Sequence, residues 1–294
     1  MTDAPRGPLP GGNGLWSGFL DRLSAGDAIA TARALEASGI TTIWLQEFSG
    51  VDPFVRAALY LQGTERLVVA LGVATIHARD PEAMVAAAST LHQAFPGRFV
   101  LGLGASHQHL AEARGATYET PLRALREYLA AMDAIAGRRF LPPRFLGALG
   151  PRMVELAGTA TSGLHSYFSP VAHTEDARVR VGRGPWIAPT VMVVMGAAGP
   201  DWRDVVRPYF GLCLGMPNYR RNLVRFGFTA DDLETTSDAL VDALAVPDAP
   251  DAIRARVDAQ RAAGADHVQV QLVPPPAAVE VLARVQHGIA GLNT

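Results

Sequence analysis

The chain contains no lysine: all 26 of its basic residues are arginine. That removes a Schiff-base lysine, a pyridoxal-phosphate anchor and a P-loop, and leaves any anion site to arginine, backbone amides or helix ends. Cysteine occurs once, at Cys213, which excludes an internal disulfide and predicts a reducing, cytoplasmic setting. The net charge of −2 offers no basic surface for nucleic acid or an anionic membrane. No apolar run reaches membrane-spanning length, and the Pro/Gly-rich start lacks the apolar core of a signal peptide. We expect a flexible tail over residues 1–13 and one domain over 14–294. What remains is 49% hydrophobic and 18% charged residues over 294 positions, enough for a large core.

The core is written as alternation. Apolar runs at Leu15–Phe19, Thr42–Leu45, Leu67–Val73, Phe99–Leu103, Arg144–Ala148, Leu164–Tyr167, Val191–Met195 and His267–Val273 predict eight strands. Helix starts follow most of them: Ser24 with Asp27, Asp52-Pro53, Asp80-Pro81, Thr120-Pro121 and Gly150-Pro151, with a further helix near Thr174 and a last one reaching Ile289. Eight strand–helix units predict a (β/α)8 TIM barrel. Residues 196–264 are too long for one crossover and predict an inserted pair of helices after strand seven, with Pro217-Asn218-Tyr219 as a break and Arg220–Phe226 as an amphipathic turn.

Phe99–Leu103 carries glycines at 102 and 104 and stops abruptly at Ser106, His107 and His109. Glycine inside a buried strand predicts a neighbour or ligand pressing on the backbone. A dinucleotide fingerprint would need glycine at 107 and a nucleophile elbow glycine at 108, where His107 and Gln108 stand. His107 and His109 alternate like a metal pair, but no carboxylate set completes them, and no metal is expected. In a barrel all carboxyl strand ends share one mouth, which gathers Trp16, Ser17, Gln46, Glu47, Thr75, His77, Ser106, His107, His109, the Leu149-Gly150-Pro151 turn, His165 and Tyr167. Without a dense carboxylate cluster this mouth does not suit a magnesium enolase site, a binuclear hydrolase or a paired-carboxylate glycosidase. His92, His267 and His287 sit in helices or at a strand start and read as structural. The Gly150-Pro151 turn is either an ordinary strand-to-helix turn or an anion cradle with Arg152 beside it. Glu47 either serves the site or pairs with an arginine, and His107 either handles a proton or bonds a neighbouring loop.

Gly97–Gly104, Arg79-Asp80-Pro81, Ala148–Pro151, Ser106-His107, Pro217–Leu223, Gly227-Phe228 and Gly264–Val268, taken in order, resemble the luciferase-like monooxygenase superfamily. Within it the chain is similar to the branch of oxidoreductases dependent on the deazaflavin coenzyme F420, in an actinobacterial-type subgroup of mostly unassigned substrate. The resemblance implies a barrel with the cofactor ring in the mouth and its phosphate on the helix after strand five. It implies cofactor contacts from Trp16, Glu47, Ala74, Thr75, Ser106, Ala148, Leu149, Gly150, Pro151, Arg152 and Met153. A strained bulge, often a non-proline cis peptide, is implied at Ala74-Thr75. His107 falls at the proton-handling position and Glu47 at the acidic position after strand two, so both are catalytic candidates. Phe48 replaces a histidine of some relatives, and with no lysine this argues against a sugar-phosphate dehydrogenase. The implied activity is hydride transfer between F420 and a small organic substrate, by reduction of an activated alkene or carbonyl or by oxidation of an alcohol. The alternatives are an FMN-dependent monooxygenase and a non-catalytic deazaflavin-binding paralogue. A homodimer is implied as well.

Overall fold

The computed structural model describes residues 13–47, 50–118, 120–137, 141–196, 202–275, 277, 278, 280 and 281. In order they form β1 (Asn13–Trp16), a 3-10 turn (Gly18–Arg22), α1 (Ala25–Ala37), β2 (Thr42–Leu45), α2 (Pro53–Gly63), β3 (Val68–Leu71), β4 (Ala74–Thr75), α3 (Pro81–Ala94) and β5 (Phe99–Gly104). Then come α4 (Gln108–Glu112), α5 (Pro121–Ala136), β6 (Arg144–Gly147), α6 (Pro151–Ala160), β7 (Gly163–Ser166), α7 (Val171–Val181) and β8 (Trp186–Val194). The chain continues through α8 (Trp202–Leu214), α9 (Pro217–Arg225), α10 (Ala230–Thr235), α11 (Asp238–Leu244), β9 (Ala245–Pro247), α12 (Pro250–Ala262) and β10 (Val268–Val273). The expected tail, Phe48 and most of the last helix lie outside the described residues.

Every strand pairing is parallel, and the order β10-β1-β2-β3-β5-β6-β7-β8 closes through β8–β10. With β4 continuing β3, this is an eight-stranded (β/α)8 barrel. Local chemistry sets the helix starts. Asp52 accepts from the amides of Phe54 and Val55 at 2.9 and 3.0 Å, with Pro53 in the first turn where no amide is needed. Asp80 does the same for Ala83 at 2.9 Å, and α3 then buries Met84, Val85, Ala88 and Leu91 against the barrel.

The structure corrects several local expectations. The seventh strand begins at Trp186, five residues earlier than expected, and contains Pro189. Pro189 is the last residue paired with β7 and precedes the first paired with β10, so its missing amide falls where one ladder ends and the next begins. Helix α7 starts at Val171 rather than near Thr174, directly after Pro170. Pro217-Asn218-Tyr219 opens α9 instead of breaking the chain, because a proline in the first helical turn forfeits no hydrogen bond. Between β8 and the crossover helix α12 the described residues form four helices and β9, not one helix pair. The non-proline cis peptide lies at Gly72–Val73, two residues before the implied Ala74-Thr75, where the Trp16 and Trp44 rings come within 3.1 and 3.2 Å of where a Gly72 Cβ would be. The glycines of β5 make room for the neighbouring strand. A Cβ on Gly102 would lie 1.7 Å from the Leu71 carbonyl oxygen, and one on Gly104 would lie 2.5 Å from a Val73 methyl.

Candidate active site

Trp16, Trp44, Ala70, Val100, Phe145 and Ala188 pack together inside the barrel. His165, expected at the mouth, is buried among them instead, its ring 5.5 Å from both the Trp16 and the Trp44 rings. Its Nδ1 lies 2.7 Å from the Gln269 amide nitrogen and 3.2 Å from the Ala188 carbonyl oxygen. Burial pushes the imidazole down to about 4. His267 bonds the Trp44 indole at 3.1 Å, the structural role expected for it. Above this layer Trp16 packs on Tyr167 with ring centroids 5.2 Å apart, and Tyr167 shares a hydrogen bond with the Tyr209 hydroxyl. Gln271 donates to Tyr209 at 3.1 Å.

Glu47 leaves the end of β2 with both carboxylate oxygens engaged. Oε2 accepts from the Thr75 amide and Oε1 from Arg79, each at 2.7 Å, and the side chain is 4% exposed. Arg79 also pairs with Asp52 and lies over the Phe54 ring. Glu47 therefore ties β2 to β4, the arginine-pairing alternative, and fixes Thr75 at the mouth. The Thr75 hydroxyl accepts from the His77 amide at 3.2 Å. His77, its pKa lowered by burial, faces a cavity of about 170 Å³ lined also by Tyr118, Thr120 and Arg123.

The carboxyl end of β5 is shaped by Ser106, which takes a left-handed φ of 60°. Tyr118 donates to the Ser106 carbonyl at 3.0 Å. His107 then turns the chain into α4, its carbonyl accepting from Leu110 and Ala111 at 3.0 Å. Its Nδ1 lies 3.2 Å from Asn218 Oδ1 on α9, and the Tyr219 ring packs 5.3 Å away. Burial pushes the His107 imidazole below its ordinary value; the Asn218 bond opposes this and His109 adds to it. Sequence reading did not single out Asn218 and Tyr219 as neighbours of His107: they belong to the Pro217–Leu223 motif, but only the fold brings them to it, Asn218 across 111 positions.

The third group surrounds the turn after β6. Gly150 caps α6 with Pro151 in the first turn, and Ala148, Leu149, Arg152 and Met153 flank it. The Leu149 carbonyl accepts from His173 Nε2 and from Arg225 on α9, both at 3.1 Å. Arg225 also bonds Asn222 at 3.2 Å. Arg225 is a further cation that sequence reading did not assign to this turn. A single nine-residue helix, α9, thus touches both His107 and the Leu149 turn.

The sequence model of the luciferase-like monooxygenase family matches residues 9–267. The chain belongs to this family. The luciferase-like chain is 25% identical over 171 residues to the 5,10-methylenetetrahydromethanopterin reductase of Methanolobus tindarius, covering 51% of this chain and 52% of that protein. It spans about half the length of the curated relatives it matches. Its fold is similar to that of an F420-dependent secondary alcohol dehydrogenase in complex with an F420-acetone adduct, with a TM-score of 0.73, 13% identity, and 97% and 98% of the two chains covered. It is also similar to the oxygenating constituent of the 3,6-diketocamphane monooxygenase of Pseudomonas putida in complex with FMN, with a TM-score of 0.68, 17% identity, and 96% and 99% covered.

Proposed function

We propose that this luciferase-like protein is an oxidoreductase that uses coenzyme F420 to move a hydride to or from a small organic substrate. The observation carrying this reading is the turn at Gly150. Its φ is −71°, open to any residue, and a Cβ there would meet nothing within 4 Å. Neither backbone conformation nor packing calls for glycine, so its absent side chain leaves clear space at the amide end of a ten-residue helix. The helix dipole, Arg152 and the nearby Arg225 guanidinium favour an anion in that space, which suits the phosphate of the cofactor. Trp16 and Tyr167 supply aromatic faces toward the same mouth.

When bound, the deazaflavin supplies the hydride chemistry. The chain's own residues do the rest: the Gly150–Met153 turn anchors, Glu47 holds Thr75 in place, and His107 holds or accepts one proton beside the substrate. The F420-dependent secondary alcohol dehydrogenase of similar fold supports this choice of cofactor, and the FMN complex on the same fold makes FMN the competing occupant.

Equilibrium binding of each cofactor to the purified protein tests the reading. F420 should bind and FMN should bind more weakly. Gly150→Val should weaken F420 binding by roughly tenfold or more while leaving the melting temperature unchanged. Tight binding of FMN without F420 would replace this reading by the monooxygenase one, and unchanged binding by the variant would place the phosphate elsewhere. We also propose a homodimer; sedimentation at micromolar concentration should return twice the chain mass, and a monomer overturns it.

A further inference from the structure

We infer that Asn218 is a positioning residue that fixes the tautomer of His107, keeping the proton on Nδ1 and an open lone pair on Nε2. Three observations carry this. The backbone of His107 is held on both sides, by the Tyr118 bond to the Ser106 carbonyl and by the α4 amides on its own carbonyl, so the imidazole is left to turn about its side-chain bonds alone. On the ring, Nδ1 meets Asn218 Oδ1 at 3.2 Å, and a carboxamide oxygen only accepts, so the ring nitrogen donates. The amide that does this is itself held. Asn218 is the second residue of α9, whose start is closed by the Tyr219 amide on the Met216 carbonyl at 3.1 Å, and whose far end is tied down by Arg225 on Leu149.

An imidazole free in water favours the proton on Nε2, so this arrangement reverses the intrinsic preference. Among the described residues, the ionisable groups against the ring are His109 on α4 and the Tyr219 phenol on α9. Neither supplies a carboxylate to favour a second proton, and in the neutral ring Nε2 is a proton acceptor rather than a donor. The meaning of this for turnover rests on the proposed function; the tautomer itself does not.

The test is made on the full chain without cofactor, so its failure is distinct from failure to bind F420. Two-bond proton–nitrogen correlation NMR of 15N-histidine-labelled protein at pH 8, with His107 assigned through His107→Gln, should show a protonated Nδ1 and an unprotonated Nε2. Asn218→Ala should return the ring to the Nε2–H form or to a mixture. Asn218→Asp keeps size and helix position but adds a carboxylate, and should raise the His107 pKa by roughly one unit or more. An Nε2–H ring in the parent overturns the inference, as does a tautomer pattern that Asn218→Ala leaves unchanged in a folded variant, or a His107 titration that Asn218→Asp does not move.

Discussion

Replacing His107 by alanine should lower turnover by about 10²–10⁴-fold while leaving F420 affinity within a few-fold, the loss expected when a positioned proton acceptor is removed. The ring stands at the carboxyl end of β5 and meets α9 at Asn218, whereas the Gly150 turn that would hold the phosphate meets α9 through Arg225 on Leu149, about two helical turns on. Binding and proton handling are therefore separable. Because burial lowers the imidazole pKa, the parent enzyme should lose activity on the acid side, as His107 becomes protonated below its ordinary value near 6.5. That limb should vanish in His107→Ala. A working substrate comes first, from activated alkenes and secondary alcohols screened against reduced and oxidised cofactor. Near-parent turnover with an unchanged pH profile would make His107 structural and pass the proton to water or to His77, whose amide sits on Thr75 in the same mouth.

Lowering the pH from 7 to 5 should weaken the fold by about 3–4 kcal/mol through two buried histidines. His165 and His173 are both held down to about 4, chiefly by burial; His173 also lies near the Arg225 cation. The sign follows from proton counting. Between about 6.5 and 4 the unfolded chain binds these two protons and the folded chain refuses them, so stability is complete above 6.5 and is lost as pH falls through that window. The lowered carboxyls of Glu36 and Asp52 act at still lower pH and do not mask the effect. Denaturant midpoints measured at pH 7, 6 and 5 should fall steadily, with the lowered imidazoles of His77 and His107 adding to the same slope, and His173→Gln should make the slope shallower. A midpoint flat from pH 7 to 5 would show that neither ring stays neutral in the folded protein.

Much of the scaffold was written locally. Asp52-Pro53 and Asp80-Pro81 define helix starts because a carboxylate, the amides it caps and a proline act within four residues, wherever the segment sits in the fold. Eight apolar runs alternating with such starts leave few arrangements other than a parallel barrel, and a barrel gathers its strand ends at one mouth. The luciferase-like family was legible through the resemblance of its motifs, and the helix start at Gly150-Pro151 and the placing of His107 at a buried strand's end were legible in the chain itself. Tertiary structure decided the rest, because those outcomes depend on atoms far apart in sequence. Gly102 is small because Leu71 presses on it, not because a ligand does. Pro189 lies inside a strand because the ladders change partners there. Glu47 is spent on Thr75 and Arg79, and His165 sinks among tryptophans instead of facing the mouth. His107 meets Asn218 only because an insertion 111 residues away folds back over the barrel. Local patterns specify which elements form; only closure of the barrel determines which side chains meet across it.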